Sequence, residues 1–173
     1  MLALARIALS LGSNLGDRFA HLERAVEIIK NNTSIFNVRL SNVYETKPIG
    51  GPEQNDYLNA VLVADTSLSA FEVLELAKVI ELDANRVREI HWGPRSIDVD
   101  ILTVDQAVLD GIDLTLPHPR LSERAFVLVP WNEVDPNFVV PGLGAVCDLL
   151  SRVDGSGVLL RSELLLEEKD DDE

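Results

Sequence analysis

A chain of 173 residues, 46% of them hydrophobic and only nine aromatic, builds one core mainly from Leu, Val, Ile and Ala, and needs no disulfide or metal to fold. Its formal net charge of −14 repels nucleic acid backbones and anionic membranes, so neither is an expected partner. One cysteine, Cys147, excludes an internal disulfide, and with no basic-then-apolar leader and no membrane-length apolar run neither secretion nor membrane spanning is expected, and a cytoplasmic location is.

Ile7, Leu9 and Leu11 alternate with small residues and predict a first strand. Gly12-Ser13-Asn14-Leu15-Gly16-Asp17 is a turn into a helix. It lacks the Lys-Ser/Thr of a phosphate loop and the spacing of a dinucleotide fingerprint. Leu22, Ala25, Val26 and Ile29 form an amphipathic helical stripe that ends at Asn31-Asn32. Phe36, Val38 and Leu40 open a second strand that runs on to about Tyr44. Residues 46–56 are a Pro/Gly-rich loop, and Tyr57 to Ala64 is a third strand.

Ser69 and Glu72 have capping-box spacing, and Val73, Leu76, Ala77 and Ile80 repeat the helical stripe. A polar loop with arginines covers 84–95, and Ile97 to Val104 is a fourth strand. The order β-α-β-β-α-β predicts an α+β fold, the ferredoxin-like arrangement, with an antiparallel sheet and both helices on one face. Beyond 105 the prolines predict short strands and one short helix near 144–152. Cys147, among Ala145, Val146, Leu149 and Leu150, reads as a buried core thiol. The domain spans 1–162. Residues 163–173 form an acidic tail expected to stay disordered, since its last seven residues carry −5.

Ser96-Ile97-Asp98-Val99-Asp100-Ile101 carries the clearest chemistry. On a strand, Ile97, Val99 and Ile101 face the core, and Asp98 and Asp100 share the other face. Two adjacent carboxylates repel unless a cation lies between them, and hard oxygen ligands in small number suit Mg²⁺ on substrate phosphates. The alternative is a solvated acidic face. Arg86, Arg88 and Arg95 precede the strand. Guanidinium groups bind phosphate oxygens, and metal plus arginines recurs in phosphoryl-type transfer; the alternative is pairing with surface acids.

Trp92 either stacks on a planar ligand or plugs the core edge. His118, held between Pro117 and Pro119 and followed by Arg120 and Arg124, is either a phosphate contact or structural. Tyr57 and Asn59 share a strand face. They either pack across strands or read a flat heterocycle beside the Asp pair.

Taken together, Leu11-Gly12-Ser13-Asn14-Leu15-Gly16, Tyr44-Glu45-Thr46-Lys47-Pro48, Asp56-Tyr57-Leu58-Asn59-Ala60, Arg86-Val87-Arg88, Trp92-Gly93-Pro94-Arg95 through Ile101, and Pro117-His118-Pro119-Arg120 through Phe126 make the chain resemble the 6-hydroxymethyl-7,8-dihydropterin pyrophosphokinases of folate biosynthesis over roughly residues 6–150. The resemblance implies a three-layer α/β/α form of the ferredoxin-like fold. It implies transfer of pyrophosphate from ATP to the hydroxymethyl group of the reduced pterin, releasing AMP. These two small molecules would be the partners of a monomer.

Asp98 and Asp100 match the family's ligands for two Mg²⁺ ions, and Arg86 and Arg95 the arginines that neutralise the moving phosphates. Glu81, Arg88, Trp92, Ile101, Thr115, His118 and Arg124 match positions near the nucleotide. Thr46, Ile49, Tyr57, Asn59, Trp92 and Phe126 match the pterin pocket, with the ring between Trp92 and Phe126 and its polar edge read by Asn59. Loops 46–56 and 84–95 would close over the substrates. Two departures stand out: Asn85 replaces the usual Gly, and His91 the usual basic residue before Trp92. The acidic tail lies outside the pattern, and a fused second folate enzyme is not expected within these 173 residues. Rival readings are another Asp-x-Asp transferase and a non-catalytic ferredoxin-like binding module.

Overall fold

The fold was obtained as a computed structural model, which describes residues 3–84 and 95–166. In chain order the elements are β1 (Ala5–Ser13), α1 (Arg18–Lys30), β2 (Ile35–Leu40), β3 (Tyr44–Thr46), β4 (Tyr57–Thr66), α2 (Ala70–Asp83), β5 (Asp98–Val104), β6 (Leu109–Asp110), β7 (Thr115–Leu116), α3 (Ala125–Val134), β8 (Val139–Val140), β9 (Gly144–Ala145), α4 (Val146–Leu150) and β10 (Leu159–Leu160).

Both early helices start where their caps place them. The Asp17 side chain accepts from the Ala20 N–H, and Ser69 and Glu72 form a reciprocal capping box. Leu22, Ala25, Val26 and Ile29 of α1, with Val73, Ala77 and Ile80 of α2, bury one sheet face. There they meet Ile7, Leu9 and Leu11 of β1, Leu58 and Leu62 of β4, and Val99 and Ile101 of β5. Each fully buried Leu or Ile contributes about 1.5–3 kcal/mol.

The main sheet is antiparallel, in the order β10-β3-β4-β1-β5, with β2 also on β4. The second strand is not continuous to Tyr44, as its pattern predicts. Asn37 takes a left-handed φ of 52°, the register slips between Phe36 and Arg39, and the chain leaves the ladder before resuming as β3. Ser41 bridges the gap, its N–H donating to the Val61 carbonyl and its hydroxyl accepting from the Val61 N–H.

The region after 105 holds a helix that the sequence pattern does not predict. Pro130 reads as a breaker, yet α3 runs through it, because Val127, Leu128, Pro130 and Trp131 are buried against the opposite sheet face. Their partners there include Ala8, Val61, Val63 and Leu102. The short helix near 144–152 is present as α4. Cys147 is exposed rather than buried: Val146 and Leu149 occupy the inward stripe of α4, and Cys147 falls outside it. Among the described residues no helix is long and apolar enough to cross a membrane.

Candidate active site

Three neighbouring strands assemble the chemistry in one row. On β1, Gly12 lies opposite Asn59 of β4 on one side and opposite Asp98 of β5 on the other, and Ser10 lies opposite Asp100. Strand pleating then turns Asn59, Asp98 and Asp100 to a common face, while Val99 and Ile101 go to the core. Two strand spacings put the Asn59 end about 10 Å from the Asp98 end.

Gly12 keeps the middle of the row open. A Cβ there would stand 3.3 Å from Asn59 Oδ1 and 3.5 Å from the Tyr57 ring.

A cleft of about 510 Å³ covers this row. Thr46, Tyr57 and Asn59 lie toward one end and Asp98, Asp100 and Arg124 toward the other, with Ile49, Arg95 and Phe126 also in the lining. The Asn59 amide donates to Thr46 Oγ1 at 2.7 Å, which fixes a polar edge in a partly aromatic slot. A second cleft, of about 390 Å³, contains Glu81, Asp98, Asp100, Ile101, Thr115 and His118. The aspartates line both, so the two clefts meet at the carboxylate pair. Every predicted site residue among those described lies in one cleft or the other. Arg86, Arg88 and Trp92, together with Asn85 and His91, lie outside the described residues.

Electrostatics divide the junction by sign. Arg124 Nη1 is 3.6 Å from Asp100 Oδ2, and its guanidinium lies 5.5 Å from the centre of the Phe126 ring. Arg95 Nη1 is buried without an acceptor among the described residues. An unsatisfied buried guanidinium nitrogen costs about 1–3 kcal/mol unless a ligand oxygen meets it, so it marks a place for an anion.

His118 has a pKa pushed down to about 4, first by burial and then by the Arg124 charge, with Asp98 opposing and Arg120 adding a little. It is therefore neutral at neutral pH. Its Nδ1 accepts from the Arg120 backbone N–H at 3.2 Å, so Nε2 carries the proton. The His118 backbone N–H bonds the carbonyl of Leu102, the extra residue where the β1–β5 register slips. The bulge thus anchors the loop that carries His118. Glu81 accepts from the Val99 N–H at the sheet edge.

Sequence reasoning missed one organising residue. Asn14, read as part of a plain turn, is fully buried. Its Nδ2 donates to Gln54 Oε1 at 2.8 Å and to the Asn55 carbonyl at 3.0 Å, and its Oδ1 accepts from the Arg95 N–H at 2.8 Å. One amide thus ties the loop at 47–56 to the arginine that precedes the Asp pair. A buried Asn in a Gly-Ser-Asn turn was the only available signal. Lys47, Gln54, Arg120 and Glu123 also line the larger cleft.

Among the described residues there is no group of three or more His, Cys, Asp or Glu that could hold a metal. Two strand carboxylates suffice for a cation that takes its remaining oxygens from water and phosphate, as Mg²⁺ does. The donor set and the orphaned Arg95 nitrogen both fit a metal–phosphate ligand.

The profile of the 7,8-dihydro-6-hydroxymethylpterin-pyrophosphokinase family matches residues 8–136. The Methylorubrum extorquens 2-amino-4-hydroxy-6-hydroxymethyldihydropteridine pyrophosphokinase is 42% identical over 155 residues, covering 90% of this chain and 98% of that protein. The Bacillus subtilis protein of the same name is 41% identical over 126 residues, covering 73% of this chain and 75% of its own length. Among solved structures, wild-type Plasmodium falciparum HPPK-DHPS is similar in fold, with a TM-score of 0.64 at 15% identity over 86% of this chain. This chain spans 44% of that longer protein.

Proposed function

The chain belongs to the 7,8-dihydro-6-hydroxymethylpterin pyrophosphokinase family, and from that premise we propose how its two clefts carry out the family reaction. The protein transfers the pyrophosphoryl group of ATP to 6-hydroxymethyl-7,8-dihydropterin in folate biosynthesis. The meeting of the clefts at Asp98 and Asp100, beside the orphaned Arg95 nitrogen, is the observation that carries the assignment of roles.

The pterin ring enters the larger cleft. Asn59 and Thr46 read its polar edge, and Tyr57 and Phe126 bound its faces; Trp92 would complete the stack. That places the hydroxymethyl group toward the carboxylates. The nucleoside of ATP occupies the second cleft, between Ile101 and Thr115, with neutral His118 donating from Nε2 to an oxygen of the nucleotide. The triphosphate then crosses the junction.

The substrate hydroxyl attacks the β-phosphorus in line. The bond from that phosphorus to the α,β-bridging oxygen breaks, AMP leaves, and the hydroxyl proton passes to solvent. No side chain forms a covalent intermediate. Asp98 and Asp100 would hold Mg²⁺, two ions on the family pattern, which when bound neutralises the triphosphate. Arg95, with Arg86, binds the oxygens that gain charge, and Arg124 stays aligned through Asp100. A fixed donor at such an oxygen is worth about 10²–10³ in rate.

The sheet order and the helix pairs on its two faces also support reading the fold as ferredoxin-like in three α/β/α layers. We read the protein as acting alone, as a monomer in the cytoplasm.

Product analysis tests the reaction type. With ATP labelled at the γ-phosphorus, the label must appear in a pterin diphosphate and the nucleotide product must be AMP. ADP with a pterin monophosphate would refute attack at the β-phosphorus.

A further inference from the structure

The chain beyond the family match, after residue 136, returns to the edge of the pterin side of the site. β10 pairs antiparallel with β3, Leu159 opposite Glu45 and Leu160 opposite Tyr44, and the Arg161 N–H donates to the Val43 carbonyl at 2.9 Å. Leu164 and Leu166 then pack against the core formed under α1 and α2. This segment covers an edge strand that would otherwise present unpaired backbone groups.

β3 has two faces with different tasks. Tyr44 and Thr46 point to the α3 side, where the Tyr44 hydroxyl donates to Glu133 and Thr46 meets Asn59. Glu45 points the other way, into a cluster of two arginines. Its Oε2 lies 2.5 Å from Arg18 Nη1 and 3.1 Å from Arg161 Nη1. The same Arg18 nitrogen donates to the Asp56 carbonyl at 2.9 Å. Glu45 and Asp56 immediately precede Thr46 and Tyr57, the paired residues at the two ends of the loop bordering the pterin end of the cleft. The three charged groups therefore close the stem of that loop from behind, and Arg161 is the member supplied by the C-terminal segment. The side chains of Glu45 and Arg161 keep only 23% and 31% of their accessible surface, so the pair is shielded more than an ordinary surface contact.

We propose that the segment from 158 to 166 is a strap that positions the pterin subsite, with Arg161 acting through Glu45 to fix the spacing of Thr46 and Asn59. Arg161 touches no substrate; it is a positioning residue, and the inference rests on the assignment of Thr46 and Asn59 to the pterin. The strap bears on one end of the larger cleft and leaves the nucleotide cleft untouched, so its loss weakens one substrate selectively.

The test is a set of steady-state measurements on Arg161→Ala, Arg161→Lys, Glu45→Gln, the Arg161→Ala/Glu45→Gln double variant and Asn59→Ala. Arg161→Ala raises KM for the pterin about three- to fivefold, the size expected for one half-buried ion pair, and leaves KM for ATP within about 1.5-fold. Arg161→Lys recovers most of the loss. The double variant is no worse than Glu45→Gln alone, because Arg161 acts on the loop stem through Glu45, whose replacement already removes that contact along with the one to Arg18.

Equal rises in both KM values would mean general loosening and overturn the proposal. So would an unchanged pterin KM in Arg161→Ala while Asn59→Ala raises it. An Asn59→Ala enzyme with unaltered pterin KM would instead remove the subsite assignment, and the strap's role with it.

Discussion

Replacing Asn14 by Ala removes the amide that holds two loops at once. Three side-chain hydrogen bonds disappear, at 2.8, 3.0 and 2.8 Å, in a residue with no exposed surface. At about 1 kcal/mol net for each, the loss is about 3 kcal/mol, a large part of the 5–15 kcal/mol that holds a domain of this size. The Arg95 N–H keeps no side-chain acceptor, so the arginine moves, and a displacement of about 1 Å at a positioned group costs about 10² in rate.

Asn14→Asp separates the two effects. It keeps an oxygen for the Arg95 N–H but faces the Asn55 carbonyl and Gln54 Oε1 with an acceptor instead of a donor. Urea unfolding and kcat/KM for both substrates should show Asn14→Ala losing both stability and rate. Asn14→Asp should lose stability to a similar degree and retain more rate. An Asn14→Ala protein within about 0.5 kcal/mol and twofold of wild type would refute the claim that this amide organises the site.

Other outcomes follow from the same geometry. Gly12→Ala places a methyl 3.3 Å from Asn59 Oδ1 and should raise the pterin KM several-fold while costing less than about 1 kcal/mol, because the Asn59 side chain can shift; an unchanged KM would show that the row has slack. His118 has a folded pKa of about 4 against an ordinary 6.5, so between these values the unfolded chain binds the proton and the native one does not. Its contribution is present above pH 6.5 and is lost as pH falls toward 4; urea midpoints of wild type should drop more between pH 7 and pH 5 than those of His118→Gln, and parallel slopes would contradict this. Leu22→Ala, at a fully buried position on α1, should cost about 2–5 kcal/mol by urea unfolding without altering either KM in the folded enzyme; a loss below about 1 kcal/mol would mean the helix face repacks.

The elements that sequence made legible are those held by local rules. The two stripes on α1 and α2, the Ser69–Glu72 capping box and the alternation of β1, β4 and β5 are readable because their periods report which face is buried. The bulge inside β2 rests on one left-handed Asn37, whose side chain is held by Asp65 from another strand, and the break before β3 falls at 41–43, where Ser41 bonds Val61. α3 was hidden by Pro130 within an apolar stretch that could suit strand or helix. Only the sheet face it covers decides between them.

Cys147 misled for the opposite reason: its neighbours are apolar, but a helix buries a stripe rather than a run. The residues proposed to carry the chemistry were singled out by their motifs, and those among the described residues line two adjoining clefts. What escaped was their support. Asn14 meets Arg95 81 residues away, and Arg161 meets Glu45 at a separation of 116, contacts that no local pattern encodes.

The proposed function requires the Asp pair to join two substrates across one metal–phosphate junction. AMP formation from ATP and Mg²⁺, with and without 6-hydroxymethyl-7,8-dihydropterin, for wild type and Asp98→Ala, addresses it in one assay. AMP release should depend on the pterin and fall by about 10³ or more in the variant, while the variant remains folded. AMP release independent of the pterin, or an Asp98→Ala enzyme within about tenfold of wild type, would contradict it.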